Sequence, residues 1–367
     1  MASSKVKVKR VKMNVKEKII LALVIIVGLM FLGYVGKFYL RQWTPLTESE
    51  GVLEKDENTY ELKEESTLID DGLDLDQLIE GQFTVLAIGF DEEGQNTDVM
   101  MLFMFDIKGK EINILQIPRD TYVGGSTTGK INSVYSYGDE DLTPINRVVQ
   151  AVRDMTQIPI DRYIAINCND IPPVVDAMGG IPINVPETIV YSDTKIIEAG
   201  EQVLTGEQSE WFVRFRHDYT EGDIGRVKAQ RIFMAAAMNK LKDMGSVEFL
   251  KIFPTVQKYI MSDMSLGEIA SIADFTEDVS MEDVTVRMVP GEGLDPEEYN
   301  GYYIYSVHAQ ELADMLNEYF RPYQRDVDVD ELDVIELKNT EEYYDDVVDN
   351  FQDIIDGDTP EIPRNES

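Results

Sequence analysis

Eighteen consecutive residues without a charge, Ile19 to Gly36 (IILALVIIVGLMFLGYVG), constrain this chain more than any other feature. As a helix rising about 1.5 Å per residue the run is roughly 27 Å long, enough to cross a bilayer. Residues 1–18 carry seven Lys or Arg and one Glu, and such a basic flank stays on the cytoplasmic side. No small-residue cleavage site follows, because the run leads into Lys37-Phe38-Tyr39-Leu40-Arg41-Gln42-Trp43. The expectation is an uncleaved signal anchor: a basic cytoplasmic tail at 1–18, a single membrane span at 19–36, and the bulk of the chain extracellular. A cleaved signal peptide and a buried soluble helix are the rival readings.

Charge divides the remainder. The whole chain has 367 residues with 69 Asp and Glu against 33 Lys and Arg, a net of −36. That balance repels phosphate backbones and argues against a nucleic-acid partner. Much of the acid lies in two segments. Glu48 to Glu80 has thirteen acids and two lysines, and Asp326 to Ser367 has sixteen acids against Lys338 and Arg364. Both read as solvated extensions that cannot bury enough apolar surface to offset ordering entropy: an acidic linker at 37–80 and a largely disordered tail at 326–367. Tyr343, Tyr344, Val347, Val348 and Phe351 leave a short docking helix in the tail as the alternative. The folded domain is then 81–325. A lone cysteine, Cys168, excludes an internal disulfide and a cysteine-ligated zinc, and His217 and His308 are too few for a histidine-rich metal site.

Within 81–325, apolar runs at Phe83–Phe90, Val99–Ile107 and Glu111–Ile117 read as strands, the last two joined at Lys108-Gly109-Lys110. Pro144–Met155 and Gly225–Leu241 have helical spacing, Tyr163–Asn167 and Ile181–Val185 read as strands, and Pro172–Met178 as a short helix before Gly179-Gly180. Alternating strands and helices predict an α/β fold, and the hairpin makes its sheet mixed.

Three constellations could carry chemistry. Asp91 and Asp98 flank the loop after the first strand, hard oxygen donors suited to Mg²⁺, with a solvated acidic loop as the plain alternative. Arg119 stands in IPRDT at the end of the third strand, where it reaches a cleft or simply pairs with Asp120. Arg214, Arg216, Arg226, Lys228 and Arg231 fall within 18 residues that hold three acids. Arg214 and Arg216 alternate on what reads as an extended WFVRFR stretch and would point to one side. Arg226 and Lys228 lie near a helix N-terminus, where cations are unfavourable without a nearby anion. Guanidinium forks suit phosphate oxygens, and several suit a pyrophosphate. A metal and an arginine cluster outside the membrane suggest phosphoryl transfer from a lipid-linked pyrophosphate. Phe233-Met234-Ala235-Ala236-Ala237-Met238 could line a prenyl channel, or be core.

The segments TVLAIGFD, NTDVMM, IPRDTYV, GKINSVYSYG, VVDAMGGIPINV, LTGEQSEWFVRFR and DIGRVKAQ resemble, in order, the motifs of the LytR-CpsA-Psr family, and Gly301–Phe320 resembles its C-terminal portion. The resemblance implies a three-layer α/β/α sandwich with a mixed central sheet. It implies an extracytoplasmic phosphotransferase that moves a glycopolymer from a polyprenyl-pyrophosphate carrier onto peptidoglycan, with Mg²⁺ as cofactor and the prenyl chain in an apolar tunnel. Asp91 and Asp98 then match metal ligands. Arg119, Arg214, Arg216 and Arg226, with Lys130 and Asn132 in the KIN motif, then match pyrophosphate-binding residues, and Arg119, Arg214 and Arg216 count with Asp223 as catalytic. Asp223 matches an acid that serves as general base or orients an arginine.

The chain departs from that pattern where the family usually carries cations. Glu92-Glu93 follow the first Asp, Asn96 precedes Thr97-Asp98, and Ala229-Gln230 stand in place of Arg-Gln. Arg231 is about 200° around the helix from position 229, a poor geometric substitute. Two alternatives to the ligase follow: a non-catalytic polyprenyl-phosphate-binding or regulatory module, and a hydrolase of the pyrophosphate bond.

Overall fold

In this computed structural model the described residues are 53–56 and 59–62 (backbone only), then 79–356 with short gaps at 80, 127, 139–140, 216–222, 321–324, 341–342, 345–346 and 349. The expected membrane span at 19–36 and most of the 37–80 linker lie outside them. Among the described residues no helix is long and apolar enough to cross a membrane. Within the linker, β1 (Leu53–Asp56) and β2 (Thr59–Leu62) form an antiparallel pair.

The core is built on β3 (Gln82–Phe90), β4 (Thr97–Asp106) and β5 (Glu111–Ile117), an antiparallel meander. Asp106 shapes the β4–β5 turn by accepting the backbone N–H groups of Lys108 at 2.9 Å and Gly109 at 2.7 Å, an Asx turn. β6 (Arg162–Asn167) runs parallel to β3, and β12 (Val284–Met288) parallel to β5. β11 (Ile260–Ser262) and β15 (Val347–Val348) close the edges antiparallel, giving the order β11-β6-β3-β4-β5-β12-β15. This mixed sheet has apolar residues on both faces, which is why β3 reads as an unbroken apolar run rather than an alternation.

On one face, Leu86, Ile88, Leu102 and Leu115 pack with α1 (Pro144–Thr156) and α6 (Ala309–Tyr319). Thr143 caps α1 and Pro144 opens it, where a missing N–H costs nothing. On the other, Val85, Met101, Ile112 and Ile114 meet α3 (Gly206–Arg214), α4 (Asp223–Val256) and α5 (Leu266–Asp278). The short α2 (Ile171–Ala177) leads into β7 (Ile181–Val185), which pairs with β10 (Gly200–Leu204) around the hairpin of β8 (Ile189–Ser192) and β9 (Lys195–Ile197). β13 (Gly291–Leu294) and β14 (Ile304–Val307) form a further pair. α4 is two helices joined at Gly245, whose φ of 72° breaks the helical path.

Two expectations are corrected. WFVRFR is not an extended stretch from Trp211: α3 runs through Arg214, and Phe215 is the first residue to turn to extended backbone. The cause lies upstream, where Thr205 and Gln208 form a reciprocal capping box that starts a helix. The acidic tail, expected in solvent, adds β15 to the edge of the sheet, and α7 (Phe351–Ile355) sinks Phe351 and Ile354 into the core beside α4. Two buried apolar side chains three residues apart outweigh Asp353 and Asp356, which stay exposed.

Candidate active site

β3, β5 and β6 all finish at one end of the sheet, and β4 starts there. The loop from Asp91 to Asn96 is held by its own first residue. The Asp91 carboxylate accepts the backbone N–H groups of Gln95 at 2.8 Å and Asn96 at 3.2 Å, and the Asn96 side-chain amide at 2.7 Å. Burial pushes the Asp91 carboxyl up, but the hydrogen bonds from Asn96, Gln95 and Gly94 outweigh it and hold it below its ordinary value. Two asparagines at and just after the end of β6 pin the loop: Asn167 donates to the Asp91 carbonyl at 2.8 Å and Asn169 to the Glu92 carbonyl at 3.0 Å.

Asp98 is the centre of the site. Arg119 Nη1 donates to its Oδ1 at 2.7 Å, and Arg226 Nη1 stands 3.6 Å from its Oδ2. The two arginines come from different elements, the turn after β5 and the first turn of α4. Arg226 is 4% exposed, and at a helix N-terminus its charge opposes the helix dipole unless an anion answers it. Asp98 supplies that anion. Asp120 holds Lys130 at 2.7 Å, with Arg119 Nε at 3.9 Å, so Lys130 is engaged behind Arg119. Asn132 contributes its backbone N–H, which donates to the Arg119 carbonyl at 3.2 Å.

Arg214, at the end of α3, lies between Glu210 at 2.6 Å and Glu92 at 3.1 Å. Burial lowers the affinity of its guanidinium for a proton, while the two carboxylates outweigh that and raise it. Glu92 therefore balances a cation in the loop position where the sequence resemblance leads one to expect another. Arg216 and His217 lie outside the described residues; Asp223 opens α4, and its side chain is outside them too. Cys168 is buried, and burial pushes its thiol up to about 11, an inert thiol rather than a nucleophile.

Among the described residues no three or more Asp, Glu, His or Cys converge as a metal cluster. Mg²⁺ is commonly held by one or two carboxylates and completed by substrate phosphates and water. Asp91 and Asp98 are donors of that kind, carboxylate oxygens at the same end of the sheet. The donor set fits a metal shared with a phosphate ligand.

Arginines and carboxylates gathered at a sheet end match the order of motifs in one known family, whose model covers residues 46–321. The chain belongs to the LytR-CpsA-Psr family. It is 25% identical over 314 residues to a Bacillus licheniformis protein named polyisoprenyl-teichoic acid–peptidoglycan teichoic acid transferase TagU, covering 84% of this chain and 96% of that one. The Bacillus subtilis protein of the same name is 25% identical over 312 residues, covering 83% and 95%. Among solved structures, Bacillus subtilis TagV superposes with a TM-score of 0.56 at 25% identity, over 66% of this chain and 98% of that one. TagT bound to LI-WTA superposes at 0.54 with 22% identity, over 67% and 96%, a likeness of fold. The LytR-CpsA-Psr match stops short of the tail that carries β15 and α7.

Sequence reasoning singled out Asp98, Arg119 and Arg226, and the structure brings these three together. It missed Asn167, Asn169 and Glu210, whose only signal is proximity after folding. It also missed Gln116, a polar residue between Leu115 and Ile117 at the apolar end of β5, which was a visible anomaly in ILQIPRD.

Proposed function

We propose that this LytR-CpsA-Psr protein is a phosphotransferase that moves a glycopolymer from a polyprenyl-pyrophosphate carrier onto peptidoglycan outside the cell. Its domain is a three-layer α/β/α sandwich, tethered by one membrane-spanning helix at residues 19–36. The names of the Bacillus relatives support the substrate class. The observation that carries the reading is the single carboxylate, Asp98, approached by two arginines from separate elements. Such an arrangement keeps two guanidinium groups fixed and ready for a phosphate, whose arrival adds charge they can share.

In the reaction, an acceptor hydroxyl of peptidoglycan attacks the phosphorus that bears the polymer. The new P–O bond joins polymer phosphate to the acceptor, the P–O bond to the carrier breaks, and polyprenyl phosphate leaves. Arg119, Arg214, Arg216 and Arg226 bind the pyrophosphate and steady the charge on the departing phosphate. Lys130 and Asn132 hold Arg119 and Asp120 in place. Asp223 takes the proton of the attacking hydroxyl or orients an arginine. Mg²⁺, held by Asp91 and Asp98, would neutralise pyrophosphate charge. The prenyl chain would follow the half-buried apolar strip of Val99 and Phe103 on β4 and Phe233, Met234 and Ala237 on α4.

The test uses the full-length protein in vesicles with a polyprenyl-pyrophosphate-linked glycopolymer, peptidoglycan, and Mg²⁺ present or chelated. Mg²⁺-dependent transfer should fall about 10²–10³-fold in Asp98→Ala. Tight lipid binding with no turnover in the wild type would replace the ligase with a binding module. Polymer released to water, despite acceptor, would replace it with a hydrolase.

A further inference from the structure

Two fully buried polar side chains sit next to this site. Arg231, on the third turn of α4, is 1% exposed, and Gln116, one residue before the end of β5, is 2% exposed. Burial of a guanidinium is rare unless its hydrogen bonds are met inside the protein. Arg231 donates twice to Gln116 Oε1, from Nε at 3.3 Å and from Nη2 at 3.1 Å. The Gln116 amide then donates to the Val227 carbonyl at 3.1 Å. The carboxamide thus ties β5 to α4 at two points, one of them the residue immediately after Arg226.

The location gives this link its meaning. Gln116 precedes Arg119 by three residues, and Val227 follows Arg226 by one. Arg119 and Arg226 are the two cations that meet on Asp98. The Gln116–Arg231 link is therefore a strut between the strand that carries one arginine and the helix that carries the other. Gln230 fixes the same turn of α4 from another side, donating to the Val213 carbonyl at the end of α3 at 3.2 Å. Position 229, where the resemblance leads one to expect arginine, is Ala229, 1% exposed in the apolar core. The helix face that could present a cation there is instead packed, and the cation two residues on is turned to the strand.

We infer that Arg231 is a positioning residue for phosphoryl transfer, acting through Gln116 to set the separation of Arg119 and Arg226. The inference rests on the phosphotransferase reading above. Arg231 touches no reacting atom. Its effect should appear in kcat, because misplacing a charge that stabilises the transition state by a fraction of an ångström costs turnover more than ground-state binding.

The experiment compares wild type, Arg231→Met, Gln116→Asn, Gln116→Glu and Arg119→Ala, all full-length in vesicles with the lipid-linked polymer, acceptor and Mg²⁺. A thermal melt reports the folded fraction of each. Gln116→Asn is one methylene too short for the strut, whereas Gln116→Glu keeps the acceptor for Arg231 at the same reach and gives up only the N–H donated to Val227. Per folded molecule, Arg231→Met and Gln116→Asn should each lower kcat about tenfold with KM changed less than about threefold. Gln116→Glu should retain about threefold more kcat than Gln116→Asn. Should Arg231→Met fail to fold, Gln116→Asn decides alone. Unchanged kcat in the folded strut variants, with Arg119→Ala still crippled, overturns the inference and leaves the phosphotransferase reading standing. Unchanged turnover in Arg119→Ala overturns both, because the strut would then have nothing to position.

Discussion

The two ends of the central sheet hold the same kind of side chain in opposite circumstances. Where β3, β5 and β6 finish, Asp98 is partly open to solution and answered by Arg119 and Arg226. Where β3 and β6 begin, about 20 Å away along the strands, Asp161 and Asp263 are set into the sheet. Burial pushes both carboxyls up there: Asp161 lies above its ordinary value and Asp263 reaches about 6. Thr84 donates its backbone N–H to Asp161 at 2.8 Å, and Tyr163 donates its own to Asp263 at 2.8 Å. One end spends its carboxylate on holding cations in reach of a ligand; the other uses carboxyls to close off backbone groups at the start of strands. The comparison teaches that acid content alone does not locate chemistry in a chain with 69 acids. The partners of each acid do.

The comparison predicts a clean exchange of phenotypes. Arg119→Ala at the first end should cost about 10²–10³-fold in kcat. Because the Arg119–Asp98 pair is partly exposed, stability should change by no more than about 1 kcal/mol, read from a denaturant midpoint. Asp161→Ala at the second end should do the reverse. Thr84 is 1% exposed, so its N–H loses its acceptor with no water to replace it, a cost of about 1–3 kcal/mol. Transfer by the molecules that remain folded should match wild type. Loss of turnover in Asp161→Ala at full folding would erase the distinction between the ends.

Much of this architecture was legible from residue order, for identifiable reasons. Strands buried on both faces announce themselves as apolar runs, as in Phe83–Phe90, and Thr143-Pro144 marks a helix start wherever it occurs. The types of the site residues were legible too, since few arrangements explain IPRDT and DxGR together. Their convergence on Asp98 was not, because it depends on the register of β4 against β3 and on how deeply α4 docks. WFVRFR was misread because alternation over six residues was weighed above the Thr205–Gln208 capping box a few residues earlier. The docking helix of the tail stood only as the alternative to a solvated tail, because sixteen acids outnumber Phe351 and its apolar neighbours. Spacing carried the true signal there: a helix needs only one apolar stripe to dock, and its acids can all face water.

Asp263 provides the finest probe of the second end. Its folded-state value of about 6 lies above the ordinary carboxyl value of 3.8. Between those two values the folded protein keeps a proton that the unfolded chain has released, so the contribution of Asp263 to stability is greatest below about pH 4 and falls as pH rises through 6. The fall should be on the order of 2 kcal/mol. Burial is the main cause; Glu268 adds to it, and the Tyr163 N–H and Arg162 oppose it. Asp263→Asn keeps an oxygen for the Tyr163 N–H and removes the ionisation, so the variant should be more stable than wild type at pH 7 and nearly equal to it at pH 4. Asp161 is held up in the same way, so some slope should persist in the variant. Denaturant melts at pH 4 and pH 7 measure this directly. An unchanged slope would mean that Asp263 stays ionised when folded, with Arg162 answering it much as Arg119 answers Asp98, and the two ends would then be alike in kind.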